Sequence, residues 1–389
     1  MSLTPGAPSA AVARLQPFGA TIFAEMSELA HAHGAVNLGQ GFPDWDGPPR
    51  MLEIAREQIA LGNNQYPPGR GLLDLRRAIC EDRARNFDLE YDPEAEALVT
   101  VGATEAIAAT ILGLVEPGSE VILIEPYYDS YAAAVALAGA RRVSVPLVQA
   151  GSGFRLDGDA LRAAVTDDTA LIVVNSPHNP TGTVFGEEDL AVIADVAVEH
   201  DLLVLADEVY ERLAFDAPHV PIAGLPGMGS RTVTVSSAGK SFNVTGWKVG
   251  WALASQPLLD GILAAKQFLT FSGGAPFQPA VAHALRHEGE WVAGLRATLR
   301  DNRDRLSAAL TRAGLRPFRS EGTYFVCARV EGDAIDYCRE LPESVGVAAI
   351  PVTAFVDEPG PWRDIVRFAF CKTDSVLDEA IARLTAQHR

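Results

Sequence analysis

The strongest constraint on the fold of this chain is a series of seven short apolar segments that begins near residue 97. They read "ALVTVG", "EVILIEP", "RRVSVPL", "ALIVVNS", "LLVLADE", "TVTVSS" and "VGWALAS". Stretches with apolar residues at helical spacing, such as "TEAIAATILGLVE", alternate with them, which is typical of strands joined by crossover helices. Strands that are almost wholly apolar are buried on both faces, as in a parallel sheet covered by helices. The sequence therefore predicts an α/β domain with a mostly parallel, seven-stranded sheet flanked by helices.

The pattern changes towards the C-terminus. A chain of 389 residues exceeds what one hydrophobic core usually supports, so two domains are expected. Beyond about residue 285, long amphipathic helical stretches combine with the strand-like "TYFVCARV" and "IVRFAFCK". We expect a large domain at residues 46–284 and a smaller α+β domain at residues 285–389. Residues 1–45 are too few to form a core of their own, and we expect them to pack on the small domain.

Charge and composition exclude several classes of function. The net charge of −18 argues against binding to nucleic acid or to anionic membranes, both of which require a basic surface. No apolar run approaches the roughly 20 residues that span a bilayer, and the N-terminus lacks the pattern of a secretory signal. The cysteines show no paired C-x-x-C spacing, so neither a metal site nor a disulfide framework is expected. We therefore expect a cytoplasmic protein.

Lysine is rare in this chain. Of 32 basic residues, only Lys240, Lys248, Lys266 and Lys372 are lysine, and the other 28 are arginine. Arginine stays charged and is a poor nucleophile, whereas a desolvated lysine amine can lose its proton and attack a carbonyl. Two of the four lysines lie in "SSAGKSFNVTGWKVGW". An ordinary solvated charge would also explain Lys240, so its neighbours must distinguish the two interpretations.

Polar residues follow the predicted strands at the point where each strand ends. In an open parallel sheet, ligands bind outside the carboxyl ends of the strands. The residues at this edge are Gly102-Ala103-Thr104, Tyr127 and Tyr128, Asn175 and Asn179, Asp207 and Tyr210, and Lys240. A glycine turn that opens a helix is a natural anion site, although a plain strand-to-helix turn is an equally good explanation of Gly102 alone. A small anionic, aromatic ligand with a basic ring nitrogen and a carbonyl would use the whole set, and pyridoxal 5′-phosphate is such a ligand.

The motifs resemble those of the class I aminotransferases, which are fold type I pyridoxal-phosphate enzymes. The resemblance rests on "GATEA", "NSPHNPTG", "DEVY", "SSAGKSFNVTGWKVGW" and "RFAFCK" in this order, and it extends from "NLGQGFPDW" to the C-terminus. Each motif alone is weak, but together they are specific. The resemblance implies a PLP-dependent transferase fold of type I with pyridoxal phosphate as cofactor.

The resemblance also implies roles for the residues that surround the cofactor ring. Lys240 would form the Schiff base with the cofactor and then move a proton during the reaction. Asp207 would pair with the ring nitrogen and keep it protonated, so that the ring can accept electrons. Asn179 and Tyr210 would bind the phenolic oxygen of the ring, and Tyr128 would stack on its face.

Further roles concern the phosphate and the partner subunit. The resemblance implies that the phosphate binds at Ala103 and Thr104, with a hydroxyl from Ser237 and a cation from Lys248. Many relatives have arginine in place of Lys248, so charge is kept while bidentate geometry is lost. Tyr66 matches a tyrosine that reaches the phosphate in the partner subunit. This implies a homodimer with shared active sites.

Substrate contacts complete the implied site. Arg367 matches the arginine that binds the substrate α-carboxylate bidentately, with help from the backbone of Gly41. Phe23 could cap the pocket, and Arg70 is a candidate for binding a distal carboxylate. Lys266 and Lys372 match no catalytic position, so we expect them at the surface, and His178 is expected to be structural.

The closer resemblance is to the branch that holds kynurenine, glutamine and methionine aminotransferases, through "NQYPPGRG", "EPYYDSY" and "GGAPFQPAV". Within it, "KQFLTFSGGAPFQPAVA" and "LPESVGVAAIP" are most similar to actinobacterial N-succinyldiaminopimelate aminotransferases of lysine biosynthesis. Alternatives are a broad-specificity methionine, glutamine or kynurenine aminotransferase and a cysteine-conjugate β-lyase. An effector-sensing domain without activity and an inactive scaffold fit less well, because no DNA-binding segment is recognised and every cofactor position is filled.

Overall fold

The computed structural model describes residues 11–18 and 22–386. The rest of the predicted N-terminal segment, residues 1–10 and 19–21, lies outside the described residues.

The strands of the described chain are numbered β1 to β15. Their bounds are β1 Val36–Asn37, β2 Ala97–Val101, β3 Glu120–Glu125, β4 Arg141–Pro146, β5 Val148–Ala150, β6 Gly153–Arg155, β7 Thr169–Asn175, β8 Leu203–Asp207, β9 Thr232–Ser237, β10 Val249–Leu253, β11 Arg316–Pro317, β12 Phe325–Arg329, β13 Val347–Ala348, β14 Ile350–Pro351 and β15 Ile365–Ala369.

The α-helices are numbered α1 to α13. Their bounds are α1 Ile22–Ala32, α2 Pro49–Ala60, α3 Leu73–Phe87, α4 Gly102–Leu114, α5 Asp129–Ala138, α6 Gly158–Ala164, α7 Glu187–Glu199, α8 Ala238–Ser241, α9 Gln256–Leu269, α10 Gln278–His287, α11 Gly289–Arg312, α12 Ala334–Ser344 and α13 Asp374–Ala386. Short 3-10 helices cover Ala13–Phe18, Ile222–Gly224, Thr245–Trp247, Val352–Phe355 and Gly360–Trp362.

The large sheet contains the seven predicted strands in the order β2-β10-β9-β8-β7-β3-β4. Strand β10 is antiparallel to β2 and β9, and the other neighbouring pairs are parallel. The predicted mostly parallel, seven-stranded sheet is confirmed. Because β10 runs in the opposite direction, its first residue lies at the same edge as the last residues of β8 and β9, which brings the segment before Val249 to the ligand-binding edge.

Both faces of this sheet are buried, as the apolar strand sequences require. Alternate residues of β3 enter different cores: Val121 and Leu123 pack in one, and Ile122 and Ile124 in the other. Successive side chains of a strand point to opposite faces, so a strand between two helical layers must be apolar at every position. The sheet is therefore a rigid central layer whose carboxyl edge holds the polar residues.

A smaller antiparallel sheet of order β11-β12-β15-β14 lies in the C-terminal part of the chain. The N-terminal segment contacts this part directly, because β1 pairs in parallel with β13 through Val36–Val347 and Asn37–Ala348. Met26 of α1 and Leu38 pack in the same core as residues of β12 and β15. The domain limits at residues 45 and 284 stay predictions. Within the described ranges, no helix combines the length and apolar character needed to cross a membrane.

Candidate active site

A cavity of about 420 Å³ opens at the carboxyl edge of the large sheet. It brings together residues that are far apart in the sequence and that the sequence analysis singled out for one site. These are Phe23, Gly41, Ala103, Thr104, Tyr128, Asn179, Asp207, Tyr210, Ser237, Lys240, Lys248 and Arg367. The topology explains the convergence, because β2, β7, β8 and β9 all end at this edge, while Arg367 and Phe23 reach it from the small sheet and from α1.

Lys240 lies in the short helix α8, directly after β9. Its Nζ donates a hydrogen bond of 2.8 Å to the hydroxyl of Tyr324. Burial disfavours the charged ammonium and lowers the pKa of Lys240 to about 8, from its ordinary value of 10.5. An appreciable fraction of this amine is therefore neutral near physiological pH, which is the state needed for nucleophilic attack and for accepting a proton.

Asp207 ends strand β8 and is buried. Its carboxylate accepts a hydrogen bond of 2.5 Å from the hydroxyl of Tyr131 and one of 3.3 Å from the backbone N–H of Val209. Burial raises the pKa of Asp207 to about 6, although these two hydrogen bonds oppose the change. Among the described residues, no lysine, arginine or histidine forms an ion pair with it, and the residue lines the cavity.

The loop after β7 is held by an asparagine pair. Asn175 donates its amide to the carbonyl of Asp207 at 2.8 Å, and its Oδ1 accepts from the backbone N–H of Asn179 at 2.8 Å. His178 in the same loop is buried, forms a 2.8 Å hydrogen bond with Thr181, and has a pKa lowered to about 4 by burial. It does not line the cavity, in agreement with the structural role expected for it.

An anion cradle lies at the start of helix α4. Gly102 has a φ of +72°, and a side chain there would come within 3.0 Å of the Lys248 amine. Gly250 lets strand β10 pack closely against the start of α4, since a Cβ at this position would lie 2.4 Å from the carbonyl carbon of Gly102. The Nζ of Lys248 lies 3.4 Å from Oγ1 of Thr104. A helix N-terminus, a hydroxyl and an ammonium together are the donor set that a phosphate prefers.

Arg367 is buried between aromatic rings on strand β15. Its guanidinium carbon lies 4.0 Å from the ring centroid of Phe325 and 4.7 Å from that of Phe355. The guanidinium donates to Asn179 Oδ1 and to the Gly39 carbonyl, both at 2.9 Å, while its buried Nε has no hydrogen-bond partner among the described residues. Burial lowers the pKa of Arg367 to about 10, so it is charged at neutral pH and suited to an anionic substrate group.

A cluster of buried charged residues begins at Glu208, the residue after Asp207. Arg83 is almost wholly buried and pairs with Glu208 at 2.7 Å and also with Glu211. His219 lies 3.1 Å from Glu208, so these two acids and the histidine are close enough to share a metal ion. Because the guanidinium of Arg83 already occupies both carboxylates, the cluster is an internal ion-pair network rather than a set of free ligands.

Two of the expected residues, Tyr66 and Arg70, do not line this cavity. Tyr66 is 82% exposed and packs edge to face on Phe271, with ring centroids 5.7 Å apart. Arg70 pairs with Asp260 at 2.6 Å and donates to the carbonyl of Ala95, so its guanidinium is engaged away from the cavity. The hypothesis that Arg70 binds a distal carboxylate has no support from the geometry of this chain.

The expectation that Lys266 and Lys372 are surface charges is wrong. Lys266 is 1% exposed, and its Nζ donates to the carbonyl of Gly69 at 2.9 Å and to that of Phe271. Lys372 is buried and pairs with Asp44 at 3.0 Å. A long flexible ammonium can reach acceptors on a neighbouring segment, and sequence spacing alone does not show which segments lie within its reach.

The sequence patterns did not indicate Tyr131, Phe325 and Phe355, which line the cavity, or Tyr324, which contacts Lys240. Tyr131 stands in "EPYYDSY", where its position on the first turn of α5 could have indicated that it faces the strand ends. Tyr324 precedes β12, and the apolar pattern of "TYFVCARV" indicated only a buried strand. Its contact with Lys240 spans 84 positions and carries no local pattern.

The chain belongs to the class I and II aminotransferases, since the family profile of that description matches residues 34–384. Enzymes of this family use pyridoxal 5′-phosphate, and the chain has their type I fold with its seven-stranded sheet. It is an aminotransferase of small-molecule substrates.

Individual proteins of this family are similar to the chain over almost its whole length. The chain is 59% identical over 387 residues to the probable N-succinyldiaminopimelate aminotransferase DapC of Mycobacterium tuberculosis, covering 96% of this chain and 98% of that protein. The solved structure of N-succinyldiaminopimelate aminotransferase from the same species has a TM-score of 0.95 and 60% identity, covering 97% of this chain and 99% of that one. The methionine aminotransferase of Escherichia coli is 39% identical over 376 residues, covering 95% of this chain and 97% of that protein.

Proposed function

We propose that this chain is a pyridoxal-phosphate-dependent N-succinyl-LL-2,6-diaminopimelate:2-oxoglutarate aminotransferase. The observation that carries the cofactor assignment is that one cavity is lined both by a lysine whose pKa is lowered to about 8 and by a buried aspartate. When bound, pyridoxal phosphate supplies an aldehyde that condenses with amines and a protonated ring that withdraws electrons from the substrate Cα.

The residues of the cavity fit this cofactor by their chemistry. Asp207, which forms no ion pair within the described residues, would pair with the ring nitrogen, while the α4 N-terminus, Ser237 and Lys248 would hold the phosphate. Asn179 and Tyr210 would bind the phenolic oxygen, and Tyr128 would cover the ring face.

The protein's own groups then perform recognition and proton transfer. Arg367 would bind the substrate α-carboxylate, because its buried Nε is without a partner and its other nitrogens are oriented by Asn179 and Gly39. Lys240 would accept the proton from the substrate Cα and return it to another carbon, which requires its neutral amine.

A direct test of the cofactor assignment is reduction of the holoenzyme with borohydride, followed by peptide mass spectrometry. The chain offers its own controls, since only four lysines are present. The pyridoxyl adduct is expected on Lys240 and on none of Lys248, Lys266 and Lys372. An adduct on another lysine, or none in freshly prepared holoenzyme, would overturn the assignment.

The identity to the mycobacterial relative supports the succinylated substrate. A panel of amino donors with 2-oxoglutarate tests this, with the succinylated diaminopimelate, methionine and kynurenine compared by kcat/KM. The proposal expects the succinylated donor to be preferred by at least tenfold. Preference for methionine or kynurenine would favour a broad-specificity aminotransferase, and release of pyruvate and ammonia from cystathionine without a keto acid would favour a β-lyase.

We further propose that the enzyme is a cytoplasmic homodimer with shared active sites. Phe271, which packs on Tyr66, is 45% exposed, and Phe268, three positions earlier in the chain, is 84% exposed. Such a cluster is typical of a subunit interface. In this arrangement Tyr66 would reach the phosphate in the partner subunit.

A hybrid dimer tests the shared site. Lys240→Ala and Tyr66→Phe homodimers should both be impaired, the first severely. When the two variants are mixed and refolded together, a hybrid dimer contains one site with Lys240 from one chain and Tyr66 from the other. Activity above the sum of the two separate variants is expected. Strictly additive activity would contradict the sharing of Tyr66, while a monomer in sedimentation analysis would contradict the dimer itself.

A further inference from the structure

Tyr324 occupies a position between the catalytic lysine and the substrate-binding segment. Its ring is buried, packed edge to face on Tyr210 at 5.2 Å and on Phe325 at 4.7 Å between centroids. Its hydroxyl lies 2.8 Å from Nζ of Lys240 and 2.6 Å from the carbonyl oxygen of Gly41. One phenol therefore connects two parts of the site that come from distant segments of the chain.

The direction of these two hydrogen bonds follows from chemistry. A carbonyl oxygen can only accept, so the bond to Gly41 uses the single proton of the Tyr324 hydroxyl. Towards Lys240 the hydroxyl can then act only as an acceptor, and the amine must donate. A neutral amine held through one of its N–H groups keeps its lone pair free.

Gly41, which accepts the hydrogen bond from Tyr324, lies in the same chain segment as a hydrogen-bond partner of Arg367. The carbonyl of Gly39, two residues earlier, accepts from the Arg367 guanidinium at 2.9 Å. Gly41 itself lies so close to the aromatic pair that an added Cβ would be 2.4 Å from the Phe325 ring. Tyr324 therefore ties the orientation of the lysine to the segment beside the proposed carboxylate site.

We propose that Tyr324 is a positioning residue for Lys240. The Tyr324 hydroxyl donates its hydrogen bond to the Gly41 carbonyl and accepts one from the Lys240 amine, which leaves the amine lone pair free to accept a proton. The catalytic purpose of this role rests on the proposed function. The two hydrogen bonds themselves are observed in the chain without cofactor. The hydrogen bond also favours the ammonium over the neutral amine, because charge-assisted bonds are roughly twice as strong as neutral ones.

The test measures the protonation of Lys240 in the full-length, cofactor-free chain. Brief labelling with acetic anhydride between pH 6 and pH 10, followed by peptide mass spectrometry, reports the reactive fraction of each lysine. The wild-type midpoint at Lys240 is expected near pH 8. In Tyr324→Phe the midpoint should fall by about one pH unit, since one charge-assisted bond is lost. An unchanged midpoint would overturn the proposal.

Two controls separate this role from general packing. Tyr127 is a buried tyrosine whose hydroxyl donates to Asp357 at 2.6 Å, and Tyr127→Phe should leave the Lys240 midpoint unchanged. If Tyr324→Phe does not fold, 3,5-difluorotyrosine at position 324 keeps the shape but weakens the hydroxyl as an acceptor. The same downward shift, smaller in size, supports the proposal, and its absence contradicts it.

In the holoenzyme, Tyr324→Phe should lower kcat about tenfold, because the amine loses the one hydrogen bond by which Tyr324 orients it. The labelling result does not depend on any substrate. Failure of the wild-type enzyme to transaminate the succinylated donor would thus refute the proposed function, whereas an unshifted labelling midpoint would refute only the role of Tyr324.

Discussion

The hydroxyl of Tyr131 donates a 2.5 Å hydrogen bond to Oδ2 of Asp207, at the carboxyl end of the central strand β8. This bond, with the backbone N–H of Val209, supports a carboxylate that burial would otherwise protonate more readily. The hydrogen bonds thereby favour the ionised carboxylate, which the proposed pairing with a cationic ring nitrogen requires. The two residues are hydrogen-bonded although 76 positions separate them.

We expect Asp207→Asn to retain some cofactor and to lose roughly 10²–10³-fold in kcat, because removing one partner of a buried pair costs about 3–5 kcal/mol. Tyr131→Phe should lose only about tenfold, since one supporting hydrogen bond is removed. Both variants are checked by steady-state kinetics, with the cofactor occupancy of each enzyme measured by absorbance. An Asp207→Asn enzyme with the wild-type rate would show that the carboxylate does not act on the ring.

The stability of the cofactor-free protein should carry a pH dependence from Lys240. Its folded pKa of about 8 lies below the unfolded value of 10.5, so the unfolded state binds more protons between these values. Stability therefore rises with pH through this window, and the cost of burying the ammonium is fully present below about pH 8.

Lys240→Met removes this cost. At pH 7 the variant should be the more stable protein by on the order of 2 kcal/mol, and the advantage should decrease as the pH rises from about 8 to 10.5. Urea denaturation of both cofactor-free proteins at pH 7 and pH 10.5 measures the difference, and titrating groups that do not interact with Lys240 cancel in the comparison. A difference that stays constant with pH would contradict the lowered pKa.

Arg367 should be needed in its guanidinium form and not merely as a positive charge. Arg367→Lys keeps the charge but loses the planar fork that Asn179 and Gly39 orient. We expect kcat/KM to fall about a hundredfold or more, mainly through KM, for every amino donor. Arg329→Lys is the matched control, because Arg329 lies on the neighbouring strand β12 and pairs with Asp364 outside the cavity.

Lys266 links the two segments that carry Tyr66 and Phe271, through the carbonyls of Gly69 and Phe271. Lys266→Met should destabilise the protein by about 2 kcal/mol, because two buried acceptors lose their donor, and should weaken subunit association. Lys372→Met is the control, since it also removes a buried, hydrogen-bonded lysine but lies apart from these segments. Sedimentation analysis measures the subunit association of the Lys266→Met and Lys372→Met variants. Equal dissociation of both variants would argue against a specific role of Lys266 at the proposed interface.

The sequence by itself determined the layered sheet and the placement of most site residues. Apolar strands buried on both faces are distinct in composition, and a parallel sheet necessarily gathers the ends of its strands at one edge. Asp207 and Asn179 therefore follow from the order of the strands, Lys240 also from the rarity of lysine in this chain, and Ser237 from the resemblance to the family.

Only the tertiary structure decided which side chains meet across distant segments. The contact of Tyr324 with Lys240, the support of Asp207 by Tyr131, and the burial of Lys266 and Lys372 are all of this kind. Such contacts depend on distances of a few ångströms between elements whose relative position is set by the packing of the whole core. A local pattern records the period of a helix or strand and contains no measure of that distance.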